Sequence, residues 1–424
     1  MVSLGCPKNL VDSEQMAGRL DRAGHVLADD ADVVIVNTCA FIADACSESI
    51  ETILDEAKKA ALEGRRLIVA GCLVERYGEE LVKLLPEVDA FVGRGAYGSI
   101  EELLGEKGYH PRRPPQGGGS CTEEFRRVLT PLPTAYLRIQ EGCNNRCTYC
   151  TIPSIRGPLT SRTVEDIREE FDGLLAQGYR EFNVIGQDIT SFGRDTDSNL
   201  KELLRVLLQA KGDYFIRLLY LHPKSIDDEL LELISGEARI IDYLDIPIQH
   251  SEDRILRSMN RGYAKKDLET LLGKIEKNLA HAVLRTTVMV GYPGETEEEF
   301  DALCRFVSDH EFDNLGAFAY SREKGTPAAR IKGHLSKGVK KRRYERIMEQ
   351  QMEISRRRLK RLVGRRMKVV VEAKEGSGMT GRTLLQAPDV DGMAFIRGEC
   401  AIGEIREGVV TQALDYDVII ELGG

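Results

Sequence analysis

From about residue 134 onward the sequence repeats one unit six times: a short apolar run followed by a stretch with helical spacing. The runs read "AYLRIQEG", "EFNVIGQD", "YFIRLLYLHP", "YLDIPIQH", "LRTTVMVGYPG" and "LGAFAYS". Between them lie amphipathic segments such as "TVEDIREEFDGLLAQG" and "TEEEFDALCRFVSD". Runs of this kind bury both faces only in a parallel sheet covered by helices. Six right-handed β/α units curl such a sheet into a (β/α)6 partial TIM barrel, expected over 134–335. A flat doubly wound sheet has the same periodicity and stays open as the alternative. In either case functional groups gather at the carboxyl ends of the strands.

The flanks differ in character. Residues 1–105 alternate the strands "VSLG", "DVVIVNT" and "RLIVAG" with helices such as "SESIETILDEAKKAAL", so a second α/β domain with a parallel sheet is expected. The opening strand is short, and a natural start upstream is expected. A Pro- and Gly-rich linker follows at 106–133, holding "HPRRPPQGGGS" and the unassigned Cys121. A basic amphipathic helix is expected at 336–361, with Tyr344, Met348, Met352, Leu359 and Leu362 on its apolar face. Residues 362–424 break into short β-rich runs separated by glycine, which reads as a small OB-like β-barrel.

The chain has 424 residues, 42% of them hydrophobic and 30% charged, with no apolar run long enough to span a membrane. No secretory signal is recognisable, so a cytoplasmic location and reduced thiols are expected. Ten cysteines in such a chain point to metal or catalytic sites before disulfides. Cys46, Cys304 and Cys400 are expected to be buried singly, Cys304 on one apolar face with Phe300, Leu303 and Val307. The net charge is −9, yet Lys337 to Lys368 holds fourteen Lys or Arg against three Glu. That run suits either an interaction surface, ribosomal RNA included, or an internal tether to an acidic body.

Two cysteine sets carry the chemistry. Cys143, Cys147 and Cys150 fall within eight residues, on the loop leaving the first strand of the six-unit region. Structural zinc takes four protein ligands. Three thiolates on a [4Fe-4S] cluster leave one iron open to a small chelating molecule. This spacing, with Tyr149 before the last cysteine, resembles the radical S-adenosylmethionine superfamily. The resemblance implies that the open iron holds the methionine end of S-adenosylmethionine and that its reductive cleavage yields a 5′-deoxyadenosyl radical. It further implies cofactor contacts from Gly186, Gln187 and Asp188 after the second strand, from Gln249 and His250 after the fourth, and from Gly291 and Gly294 after the fifth. Cys6, Cys39 and Cys72 form the second set, each 33 residues from the next and each ending an N-terminal strand. Strand ends share one edge of a parallel sheet, so three thiols there either converge on a metal or sit buried separately.

"SLGCPKNLVDSE", "NTCAFI", "AGCL", "EGCNNRCTYC", "GQD", "IPIQHS", "MNRGY" and "VGYPGET" together resemble the radical S-adenosylmethionine methylthiotransferases along almost the whole chain. "GCPKN" resembles their RimO branch, whereas Gln-Met in place of Pro-Lys would suit the tRNA-modifying MiaB branch. The resemblance implies two [4Fe-4S] clusters, an auxiliary one on Cys6, Cys39 and Cys72 and the radical one on Cys143, Cys147 and Cys150. It implies that an aspartate of ribosomal protein S-twelve exchanges a β-carbon hydrogen for a methylthio group. It implies as partners an electron donor such as flavodoxin or ferredoxin, a sulfur source and the small ribosomal subunit. The C-terminal barrel resembles TRAM domains, which bind RNA in relatives that modify tRNA. Residues 362–424 carry seven Lys or Arg and ten Asp or Glu, a balance better suited to a basic protein than to phosphates. Asp389 and Asp391 in "APDVDG" are two acids such a partner could meet. The other readings are a tRNA adenosine methylthiotransferase and a non-catalytic zinc-dependent nucleic-acid-binding protein.

Overall fold

The computed structural model describes residues 1–111, 126–376 and 378–423, so half of the expected linker, with Cys121, lies outside the described residues. The N-terminal sheet is parallel and has five strands in sequential order: β1 (Val2–Ser3), β2 (Val33–Thr38), β3 (Arg66–Gly71), β4 (Ala90–Val92) and β5 (Gly108–His110). Sequence periodicity gives only the first three, because three-residue strands are too short to show a period. The fifth falls inside the stretch expected to be linker. Successive residues of β2 and β3 are buried on opposite faces. Val36, Leu67 and Val69 pack with Ile53, Ala57 and Ala60 of the helix Ala43–Glu63. Ile35, Ile68 and Ala70 pack with Met16 and Leu20 of the helix Pro7–Arg22. This two-sided burial explains why both strands read as unbroken apolar runs.

After β6 (Thr134–Arg138), a two-stranded ribbon forms from β7 (Gln140–Glu141) and β8 (Thr160–Ser161). The second sheet adds β9 (Glu181–Ile185), β10 (Phe215–Leu218), β11 (Ile240–Asp245), β12 (Val283–Val290) and β13 (Asn314–Ala319) to β6. Its spatial order, β13-β12-β11-β10-β9-β6, is the sequence order reversed. A doubly wound sheet would break that order at a switch point. The six-unit partial barrel is the arrangement observed. Cys304 is buried there with Phe300, Leu303 and Val307, as expected.

The last five strands, β14 (Arg366–Glu375), β15 (Gly378–Thr383), β16 (Ala394–Arg397), β17 (Ile405–Ala413) and β18 (Val418–Leu422), close into a barrel. Alternate residues Val369, Val371, Ile396, Val410, Val418 and Ile420 fill it. Cys400, expected to be buried, is only half-buried, beside this core. The chain divides into two compact units, each assembled from several segments. One is Met1–Leu129, Arg138–Glu170 and Ser321–Thr326; the other is Thr130–Leu137, Phe171–Tyr320 and Pro327–Gly424. The loop with Cys143, Cys147 and Cys150 therefore belongs to the unit that holds Cys6, Cys39 and Cys72.

Within the second unit, many of the charges that the sequence suggests for partners are paired internally. The basic helix spans Lys337–Lys360 and is capped by Ser336, whose Oγ accepts the Val339 N–H at 3.3 Å. Its buried seam is Arg343, Ile347, Gln351 and Ile354, not the expected face; Tyr344 is 40% exposed and Met348, Met352 and Leu359 are half-buried. Polar residues take the seam because they find partners. Arg343 pairs with Glu295 and, at 2.8 Å, with Glu297, and Gln351 Nε2 donates to Phe312 O at 2.9 Å. Arg346, Arg357, Arg358 and Arg361 pair with Asp301, Glu311, Asp313 and Glu311. Asp391, offered by the sequence as an acid for a partner, is withdrawn likewise. Its carboxylate accepts from Tyr243 Oη at 2.6 Å, Arg285 Nη1 at 2.5 Å and Ala387 N at 2.8 Å, with no side-chain exposure. Asp389 accepts from Tyr136 Oη at 3.1 Å but stays exposed.

Glu181 anchors the same unit. It receives Arg217 Nη2 at 2.8 Å and Arg382 Nη2 at 2.6 Å, all three side chains buried. Burial pushes its carboxyl up, but the two guanidiniums outweigh this and hold it at about 2. A depressed carboxyl stabilises the fold fully above the ordinary glutamate value and loses that contribution as pH falls toward 2. We expect on the order of 3 kcal/mol to vanish between about pH 4.5 and 2. Urea unfolding followed by circular dichroism at stepped pH checks this, with Glu181→Gln flattening the dependence over that interval.

Candidate active site

Cys6, Cys39 and Cys72 stand at the carboxyl ends of β1, β2 and β3. Cys6 is the N-cap of the helix Pro7–Arg22, with Pro at its first position. Gly5 before it has φ +88°, and a Cβ there would lie 2.6 Å from Cys39 Cβ and 2.8 Å from its Sγ. Only glycine allows the two strand ends to approach this closely. Asn9 ties the three ends together. Its Nδ2 donates to Leu4 O at 3.0 Å and to Thr38 O at 2.7 Å, and its Oδ1 accepts from Cys72 Sγ at 3.3 Å. Ser49 Oγ donates to Cys39 O at 2.8 Å and accepts its N–H at 3.1 Å.

The thiols feel one another. Burial pushes Cys39 up to about 11, and the charges of Cys6 and Cys72 add to the rise. Burial likewise raises Cys72. Cys6 goes the other way. Burial opposes it, but the charges of Lys8 and Arg156 and the N–H groups of Asn9 and Lys8 favour its thiolate. As they stand the thiols are neighbours rather than a closed ligand set: among the described residues no group of three Cys, His, Asp or Glu is gathered to hold a metal ion.

The loop with the other three cysteines is in the same unit. The Asn145 N–H points to Cys143 Sγ at 3.5 Å and the Ile152 N–H to Cys150 Sγ at 3.4 Å. Cys150 N donates to Cys147 O at 3.1 Å, and Tyr149, between them in sequence, is half-buried. Thr151 Oγ1 donates to Phe41 O at 3.1 Å, two residues beyond Cys39. Six residues past Cys150, the buried guanidinium of Arg156 donates to Asn9 Oδ1 at 2.5 Å, Glu141 at 3.0 Å, Asp12 at 3.2 Å and Cys72 Sγ at 3.5 Å.

The remaining expected contacts lie in the second unit, each after a strand. Gly186 and Gln187 lead to Asp188, which caps a turn by accepting Thr190 N at 3.1 Å and Ser191 Oγ at 2.7 Å. Gln249 has φ +65° and is zipped to β12, donating to Thr287 O and accepting from Met289 N, both at 2.8 Å. His250 is fully buried. Its Nδ1 accepts the Glu252 N–H at 3.0 Å, so Nε2 carries the proton and donates to Glu295 at 3.1 Å. Glu295 also accepts Gly291 N at 2.7 Å and pairs with Arg343. The close neighbour at Gly291 is protein: a Cβ there would meet Lys340 Cγ at 2.6 Å. Gly294 N donates to Gly333 O at 2.8 Å.

Three family descriptions match the chain: "Uncharacterized protein family UPF0004" over residues 1–93, the radical SAM superfamily over 137–307 and the TRAM domain over 363–422. The radical SAM match implies an iron–sulfur cluster and S-adenosylmethionine. The chain is 44% identical to "Ribosomal protein uS12 methylthiotransferase RimO" of Geobacter sulfurreducens, across 100% of this chain and 98% of that protein. It is 41% identical to the protein of the same name from Thermotoga maritima, across 98% and 97%. The chain belongs to the RimO family of uS12 methylthiotransferases. Among solved structures, the radical S-adenosylmethionine methyltransferase TsrM of Kitasatospora setae has the same kind of fold, with a TM-score of 0.52 at 14% identity over 77% of this chain and 71% of that one. No helix among the described residues is long and apolar enough to cross a membrane.

In this RimO-family chain, sequence reasoning misses Asn9, Arg156 and Glu295. Asn9 and Glu295 lie inside motifs already singled out ("GCPKN", "VGYPGET"), and Arg156 follows the loop of Cys143, Cys147 and Cys150 by six residues. Nothing in the spacing shows that their partners are remote in sequence. Arg261 and Tyr263 of "MNRGY" act similarly, donating to Pro247 O and Ile248 O at 2.8 Å and so fixing the segment before Gln249. Gly5→Ala tests the close approach at the strand ends. In metal-free protein under native conditions, Cys39 should alkylate several-fold faster than in the wild type, read by mass spectrometry of the labelled peptide.

Proposed function

We propose that this chain transfers a methylthio group to the β-carbon of an aspartate of ribosomal protein uS12, using S-adenosylmethionine and two [4Fe-4S] clusters. The reading is carried by full-length likeness to proteins of that name, and two sets of three cysteines support it. Cys143, Cys147 and Cys150 would hold the radical cluster; Cys6, Cys39 and Cys72 would hold the auxiliary one. The donor sets suit such groups. Each offers three thiols, peptide N–H groups point at Cys143 and Cys150, and a helix N-terminus and a guanidinium favour the thiolate at Cys6. When bound, the radical cluster and S-adenosylmethionine supply the hydrogen-abstracting chemistry that an unactivated C–H bond requires.

The protein binds, orients and excludes water. Tyr149 and the segment Gly186–Asp188 would meet the adenosylmethionine, the latter at its amino group. Gln249 would meet its ribose, and Gly291 and Gly294 would shape the turn beside it. His250, with both ring nitrogens engaged, serves by holding that segment against Glu295. An electron donor such as flavodoxin or ferredoxin and a sulfur source complete the requirements, with the small ribosomal subunit as the place of reaction.

A competition assay tests this. Reconstituted anaerobically with reductant and S-adenosylmethionine, and offered ribosomal subunits and unmodified tRNA together, the enzyme should add a methylthio mass to uS12. A gain on a tRNA adenosine instead would overturn the substrate assignment. Cys147→Ala should abolish both 5′-deoxyadenosine and the product. Cys39→Ala should still form 5′-deoxyadenosine but leave uS12 without the methylthio group.

A further inference from the structure

Arg156 is nearly sealed from solvent, with 1% of its side chain exposed, and is held by two carboxylates that it shares with two further arginines. Asp12 receives Arg138 at 2.5 Å, Arg156 at 3.2 Å and Arg94 at 3.5 Å. Glu141 receives Arg94 at 2.8 Å, Arg156 at 3.0 Å and Arg138 at 3.1 Å. Three guanidiniums against two carboxylates leave one positive charge in excess. The geometry directs it: Arg156 Nη2 reaches Cys72 Sγ at 3.5 Å and Asn9 Oδ1, itself the acceptor of Cys72, at 2.5 Å. A buried cation with no structural task beyond ion pairing would not need to face a thiol.

We propose that Arg156 tunes the auxiliary cluster, setting its reduction potential through the N–H group directed at Cys72 Sγ and through the excess positive charge of the network. Hydrogen bonds to cluster sulfurs and nearby positive charge both favour the reduced, more negative state, and the effect is large where solvent is excluded. Arg156 is thus a positioning and tuning residue rather than a catalytic one. It is carried by the segment that follows Cys150, so the element bearing one cysteine set sets the electronic environment of the other. The inference rests on the reading of Cys6, Cys39 and Cys72 as ligands of a [4Fe-4S] cluster.

The test uses the full chain with Cys143, Cys147 and Cys150 replaced by alanine, reconstituted anaerobically and titrated with dithionite while the reduced cluster is followed by electron paramagnetic resonance. In this background about four iron per chain should remain. Their absence would overturn the cluster reading itself. With iron present, Arg156→Gln should lower the potential, reducing the reduced-to-oxidised ratio at the parent's midpoint about tenfold, or 59 mV for a one-electron couple. Asp12→Asn removes a negative charge from the same network and should move the potential the opposite way. Opposite shifts support the proposal, because loosening of the site would move both variants alike. Full iron with unchanged potentials, or shifts of the same sign, would overturn it and leave the cluster reading intact. If Arg156→Gln does not retain iron, Asp12→Asn and Arg156→Lys decide: a raised potential in the former with a near-parent value in the latter supports the proposal, and no change in Asp12→Asn overturns it.

Discussion

Asp12 and Glu141 are buried carboxylates 129 residues apart in the sequence, and Arg94, Arg138 and Arg156 bind both. Burial works against these carboxylates, yet the three guanidiniums hold Asp12 below and Glu141 well below the ordinary range. Such a network adds little net stability over an apolar core of the same shape, but removing one member strands a buried charge at a cost of about 3–5 kcal/mol. Its consequence is therefore location. The segment Arg138–Glu170 cannot leave the N-terminal elements without separating several charges at once. That is why the loop with Cys143, Cys147 and Cys150 shares a compact unit with Cys6, Cys39 and Cys72. Asn9 repeats the device on a smaller scale, meeting Leu4 just after β1, Thr38 of β2, Cys72 and Arg156 with one amide.

The second unit uses charge in the same way. Glu295 gathers His250, Gly291 and Arg343, so the turn after β12 and the segment after β11 share one carboxylate. Glu181 binds arginines from β10 and β15, and Asp391 closes on Tyr243 and Arg285. His250 and Gly291, both expected to meet S-adenosylmethionine, therefore rest on one carboxylate that Arg343 also binds. Rigid support of this kind is what a site steering a reactive species toward one C–H bond needs.

These pairings also revise what charge counting suggests. Four arginines of the helix Lys337–Lys360, and Arg361 just after it, bind acids of their own unit, so of the two uses its sequence allows, the tether is the one seen. Asp391, read from composition as available to a basic partner, is fully covered. Net charge over a window records how many charges there are, not whether they already have partners.

The sequence by itself determined the α/β class, the six-unit parallel sheet, the closing barrel and the position of both cysteine sets after strand ends. Those features are local: strand and helix periods repeat within tens of residues, and thiol spacing on one loop is a property of that loop. It was silent on β4 and on the roles of Asn9, Arg156 and Glu295, and it put the seam of the basic helix on the wrong face. Only the tertiary structure decided these, because a buried polar side chain is defined by a partner that the fold brings from far along the chain, and no periodicity encodes that partner.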